Sequence, residues 1–203
     1  MTAAYSIPAD GGDELDFSDV GELPEYLGHV RFRSCRFKSL SFLDTVLDHT
    51  VFEDCSFDFS RIGDRIDGCA FLNCSFRYAN LLGAQFVGCK MTGSDLSELG
   101  ESSYSIQGGD WSYTLLSKLK IKKRNLDGVS FASANLYDCS FENCDLRGVR
   151  FDNAIVNRVS LRGSDIRGMT IAFCNIAGFD FHGCTADIEF CVGFAEAHGI
   201  RLA

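Results

Sequence analysis

The chain has 203 residues, is 46% hydrophobic and carries a formal net charge of −9 at pH 7. That length suits a single domain, and the acid balance argues against a nucleic-acid footprint built from basic side chains. No apolar run approaches a membrane span, and Met1–Asp10 lacks the basic and hydrophobic regions of a signal peptide, so a cytoplasmic protein is expected.

Residues 1–30 hold seven acids (Asp10, Asp13, Glu14, Asp16, Asp19, Glu22, Glu25) and no Lys or Arg. Residues 1–29 are therefore expected to form an acidic tail that caps the next segment near Leu23–Leu27. From Phe71 to Phe181 every fifth residue is apolar, and Glu101 alone breaks a run of 23 positions. An upstream block (Phe32, Phe37, Phe42, Leu47, Phe52, Phe57, Ile62) keeps the same beat in another frame. A period of five matches neither the helical 3.6 nor the strand 2.0, so the units stack.

Two residues before each large apolar residue stands a small one in 17 of the 23 units, and the residue just before is often Asn or Asp. Large and small side chains alternating inside, with polar residues outside, suit a narrow tube filled by its own side chains. Gly68, Gly88, Gly108, Gly128, Gly148 and Gly168 recur every twenty residues. One corner of positive φ per twenty residues gives four five-residue faces per coil. The expected fold is all-β: a right-handed, four-sided parallel β-helix over residues 30–185, with strands of successive coils about 4.8 Å apart.

Between Phe57 and Phe71 the frame slips by one residue, which calls for a bulge or kink within Ser60–Asp67. Between Ser97 and Ser105 the pattern fails, because Glu101 takes a bore position and Tyr104 a small-residue position. A carboxylate in the bore is costly, so this stretch is expected to bow outward. With Glu98, Lys122 and Lys123 it defines a candidate protruding face. The cluster Lys118, Lys120, Lys122, Lys123 and Arg124 reads either as a binding patch or as a solvated irregular face.

Nine of the ten cysteines occupy small-residue positions and are expected to be reduced packing residues. After Cys184 the fives stop. Asp187 can cap a helix over residues 188–198, Gly199 can stop it, and Ile200–Leu202 reads as a short apolar strand. A solenoid needs a lid. Phe190, Phe194, Ile200 and Leu202 exceed what one lid buries, so residues 186–203 are expected to form a homodimer contact. The four histidines are scattered, and no nucleophile set, metal-ligand spacing or phosphate loop stands out. Neither catalysis nor a cofactor nor a metal is expected.

Units such as Ala134-Asn135-Leu136, Cys144-Asp145-Leu146-Arg147-Gly148 and Ser164-Asp165-Ile166-Arg167-Gly168 resemble the A(D/N)LXX repeat of pentapeptide-repeat proteins. The tail from Phe194 to Ala203 is similar to that of the MfpA/Qnr fluoroquinolone-resistance group. That resemblance implies a rod-shaped homodimer joined through its C-termini, a mimic of B-form DNA that binds DNA gyrase and topoisomerase IV. It implies protection of the enzyme from quinolones or gyrase toxins. A plain scaffold that binds another protein is the alternative.

Nearly eight coils make a rod of about 37 Å, and an end-to-end dimer of about 75 Å equals the length of roughly twenty base pairs. Seven of the nine net negative charges fall in residues 1–30, and residues 171–203 contribute a net −3. In such a dimer the folded acid gathers at the central junction. Asp145, Asp165, Asp180 and Asp187 are the candidate target-facing acids, with Arg147 and Arg167 neutralising their neighbours.

Overall fold

The computed structural model describes residues 7–20, 22–99, 103–197 and 199–201. The backbone winds into a parallel β-solenoid of about eight turns, closed at one end by a helix. The strands are only two or three residues long. The strands run β1 (Gly12–Asp13), β2 (Tyr26–Gly28), β3 (Arg31–Arg33), β4 (Val46–Asp48), β5 (Val51–Glu53), β6 (Arg65–Asp67) and β7 (Ala70–Leu72). Then come β8 (Gln85–Val87), β9 (Ser105–Gln107), β10 (Lys120–Lys122), β11 (Ser140–Glu142), β12 (Val159–Ser160) and β13 (Phe179–Asp180).

Strand pairing defines the four faces. One carries β1-β3-β5-β7 and another β2-β4-β6-β8-β9. A third carries the Ser41–Arg61–Asn80 bridges and later β10-β11-β12-β13. The fourth is a file of single bridges from Asp16 through Arg36, Ser56, Ser75, Asp95, Leu115 and Asn135 to Ile155. All pairs are parallel, and backbone N–H groups of one coil donate to carbonyls of the next, as Phe37 does to Ser56 at 2.7 Å. The tube therefore satisfies its backbone between coils and leaves its bore to side chains.

That bore is aromatic at the N-terminal end. Phe17, Phe37, Phe57 and Phe76 form a ladder with centroid steps of 5.0, 5.1 and 5.1 Å and planes within 21°. Phe32, Phe52 and Phe71 form a second, packed edge-on to the first. Coils spaced by one strand separation hold such rings in offset stacks.

The stack begins earlier than the residue-30 boundary expected from the sequence. Gly12 and Asp13 pair with Phe32 and Arg33, Asp16 bridges to Arg36, and Phe17 is fully buried. The acidic segment from Asp10 to Glu25 is thus wound into the first coils. The frame slip falls where expected but is a shortening: Leu47 pairs with Ile66, nineteen residues on, because the Ile62–Ile66 step spans four residues. Gly63 lies buried in that step, where a Cβ would stand 2.5 Å from Leu43 Cδ2.

Candidate functional site

The C-terminal lid is the helix α1 (Ile188–Ala197). Asp187 starts it by accepting the Phe190 N–H at 2.8 Å, as an N-cap carboxylate does. Gly199, at φ 77°, follows its end. Phe190 and Phe194 pack on Phe181 with ring centroids 5.7 and 5.8 Å apart, so both serve the lid of their own rod. Ile200 is exposed, no strand is formed by residues 199–201, and Leu202 lies outside the described residues. Two residues that sequence reasoning missed complete the exposed apolar rim: Phe173, 91% exposed, and Ile188, 77% exposed. Phe173 occupies a turn position, where the five-residue pattern carries no signal for burial.

The four candidate acids each have a structural duty. Asp145 and Asp165 stand on adjacent coils, bridged in register. Arg147 donates to both Asp145 oxygens (2.8 and 2.6 Å), and Arg167 holds Asp165 in the same way. Those guanidinium bonds, with the backbone N–H groups of the same arginines, hold both carboxyls below the usual range. Asp180 lies 3.7 Å from Arg162, and Asp187 is committed to the cap. The structure makes no open acidic stripe of these four.

The candidate protruding face also changes. Tyr104 turns inward, half-buried, stacked at 6.1 Å and 11° on Trp111 and edge-on to Phe86. A ring there fills the bore where a small residue stands in other coils. Glu98 pairs with Arg77 at 3.3 Å, and Lys122 lies 3.9 Å from Glu142. Lys123 is exposed beside Arg124 along an open groove that Tyr104 and Asp127 also line, and Glu101 lies outside the described residues.

A group of acids without an ion-pair partner among the described residues sits at the other end. Glu25, Asp44 and Asp64 project from successive coils into one groove, which Asp48, Asp67 and Arg65 also line. Asp44 and Asp64 are one twenty-residue coil apart and Glu25 stands one residue out of that register, so the lost repeat signal before residue 30 hides the group in the sequence. With the first coils carrying the N-terminal acids, negative charge concentrates far from the lid rather than beside it.

The cysteines behave as packing residues. All ten are free, and seven are buried. Thiols along the bore donate to carbonyls of the preceding coil, as Cys89 does to Ile66 at 3.4 Å. Burial pushes Cys69 and Cys139 up to about 12 and Cys89 to about 11. No described helix is long and apolar enough to cross a membrane.

Comparison with known proteins agrees with this geometry. Residues 122–189 match the family described as "Pentapeptide repeat region", and residues 65–97 match "Pentapeptide repeats (8 copies)". The chain is similar to full-length QnrB1, a plasmid-mediated fluoroquinolone resistance protein, with a TM-score of 0.69 at 18% identity. That match covers 94% of this chain and 100% of QnrB1. A trypsin-treated variant of QnrB1 gives a TM-score of 0.65 at 20% identity, covering 95% and 97% of the two chains. No curated protein matches by sequence. At these identities the likeness defines the fold, a repeat scaffold.

Proposed function

We propose, from the premise that this chain is a pentapeptide-repeat protein with the Qnr-like solenoid fold, that it binds a type II topoisomerase, DNA gyrase foremost and topoisomerase IV with it. It occupies the enzyme's DNA-binding surface by its outline and protects the enzyme from fluoroquinolones or gyrase toxins. In this reading two cytoplasmic copies join end to end through the lid. The observation that carries it is the combination of an unbranched column of about eight coils with an apolar rim at one end. Phe173, Ile188 and Ile200 on that rim are the surface a second copy covers, while Phe190 and Phe194 hold the lid in place. A pair so joined is about 75 Å long, the length of roughly twenty base pairs.

The charge layout makes the distal arms, not the junction, the electrostatic contact. Glu25, Asp44 and Asp64 face a basic DNA-binding surface, while Arg65 in the same groove is taken up by Asp67 at 2.7 Å. Direct binding of purified gyrase tests the reading. Wild-type protein should bind and be displaced by duplex DNA. Asp44→Lys with Asp64→Lys should weaken binding at least tenfold. Binding unaffected by both a duplex competitor and the charge reversal would contradict it.

A further inference from the structure

One column of corners in the rod carries glycine at positive φ on six successive coils, from Gly68 to Gly168, with φ between 58° and 71°. The two coils before them carry histidine at the same corner, His29 (φ 57°) and His49 (φ 45°). Stacked one coil apart, the two rings lie face to face, with centroids 5.4 Å apart and planes 12° apart. Asp48 reaches both. Its Oδ2 lies 3.5 Å from His29 Nε2 and its Oδ1 2.5 Å from His49 Nδ1.

The surroundings hold this arrangement open. Tyr26 donates its phenol O–H to Asp48 Oδ2 at 2.8 Å, orienting the carboxylate from behind. Gly28 leaves room for the Tyr26 ring, since a Cβ at that position would lie 2.2 Å from the phenol oxygen. Gly68 does the same for the His49 ring, where a Cβ would come within 2.6 Å of Nε2. One donor from each of His29, Asp48 and His49 lies within 4.8 Å of the others, and no other group of this kind occurs among the described residues.

We propose that His29, Asp48 and His49 form a mononuclear site for a borderline divalent transition metal, zinc(II) being the one that suits it best. Two imidazoles and a carboxylate are the donor set that such ions take, whereas magnesium and calcium require oxygen ligands. An ion about 2.0–2.2 Å from each donor draws them to about 3–4 Å apart, which small rotations of the exposed histidine rings supply. Binding replaces the Asp48–His49 hydrogen bond, keeps the Tyr26 bond as outer-shell support, and leaves the fourth position to water. The ion ties two neighbouring coils near the N-terminal end. Glu25, Asp44 and Asp64 in the adjoining groove raise the local cation concentration. The sequence, with His29 twenty residues before His49, shows no ligand spacing; winding makes them neighbours.

The test is calorimetric titration of zinc chloride into the chelator-stripped full-length chain in a Cys191→Ser background, which removes the exposed thiol. One equivalent should bind at about micromolar affinity, and magnesium chloride should give no saturable heat. His49→Gly and the double variant His29→Gly/His49→Gly install the residue that six other coils use at this corner, so they keep the fold. Each should weaken zinc binding at least tenfold with an unchanged circular dichroism spectrum, and Asp48→Asn should do likewise. No saturable heat from the parent protein, or affinity in the double variant within tenfold of the parent, would overturn the site and leave a hydrogen-bonded His–Asp–His ladder.

Discussion

The carboxylate of Asp187 accepts the backbone N–H of Gly168 at 2.6 Å while its other oxygen accepts the N–H of Phe190. One side chain thus fastens the first turn of the lid to the last glycine corner of its column. The Phe190 bond first, and the Gly168 bond second, hold this carboxyl below its ordinary value. A carboxyl lowered in the folded state adds stability above the unfolded value of about 3.9, and that stability is lost as pH falls through the lower folded value. Asp187→Ala should lower the thermal midpoint of the lid by a few degrees at neutral pH. The difference from wild type should vanish in strong acid, as followed by helical ellipticity across pH 2–7.

Phe57 sits at the centre of the aromatic ladder, stacked on Phe37 and Phe76 at 5.1 Å and fully buried. Phe57→Ala should cost about 3–5 kcal/mol, because the coils above and below cannot collapse into the gap without breaking their strand register. Coils contact only their neighbours, so hydrogen exchange should accelerate near residues 37–76 and much less beyond residue 130.

Glycine has different reasons at two neighbouring corners. Gly88, at φ 61°, has open space where a Cβ would stand, so Gly88→Ala pays only for the left-handed backbone, about 1 kcal/mol. At Gly109, φ is 93° and a Cβ would lie 2.1 Å from the Cys89 carbonyl oxygen. Gly109→Ala should therefore be clearly worse than Gly88→Ala in denaturant midpoint. Equal effects would show that the coil spacing there yields freely.

Native protein should react with iodoacetamide chiefly at Cys191, the one exposed cysteine, with Cys174 and Cys184 slower. Cys69, Cys89 and Cys139 should stay unmodified until denaturant is added, since burial keeps their thiols protonated. Peptide mass mapping before and after unfolding reads this directly.

The bore and the corners were legible wherever a large apolar residue recurs at five and a glycine at twenty. The first coils were not, because Gly12 and Glu22 stand where Phe32 and Phe42 stand one coil later, which erases the beat while Phe17 and Leu27 still fill the bore. Asp187 as helix cap was readable from local chemistry. The packing of Phe190 and Phe194 on Phe181 was not, since spacing along a helix does not tell which face meets the rod. The histidine corner was masked by the four-residue step at Ile62–Ile66, which puts Gly68 nineteen rather than twenty residues after His49. Neutralisation of Asp145 and Asp165 was readable, because an arginine two residues on projects from the same face.

A gyrase supercoiling assay with and without a fluoroquinolone, run on wild type and on Phe173→Asp, bears most directly on the topoisomerase reading. Phe173 is 91% exposed, so the substitution spares the fold while placing charge on the surface assigned to the second copy. Wild-type protein at micromolar concentration should alter supercoiling or relieve the drug's inhibition, and Phe173→Asp should lose that effect together with its dimeric mass. A wild-type protein that leaves both reactions unchanged, or a monomeric Phe173→Asp that retains full effect, would contradict the end-to-end rod as the acting form.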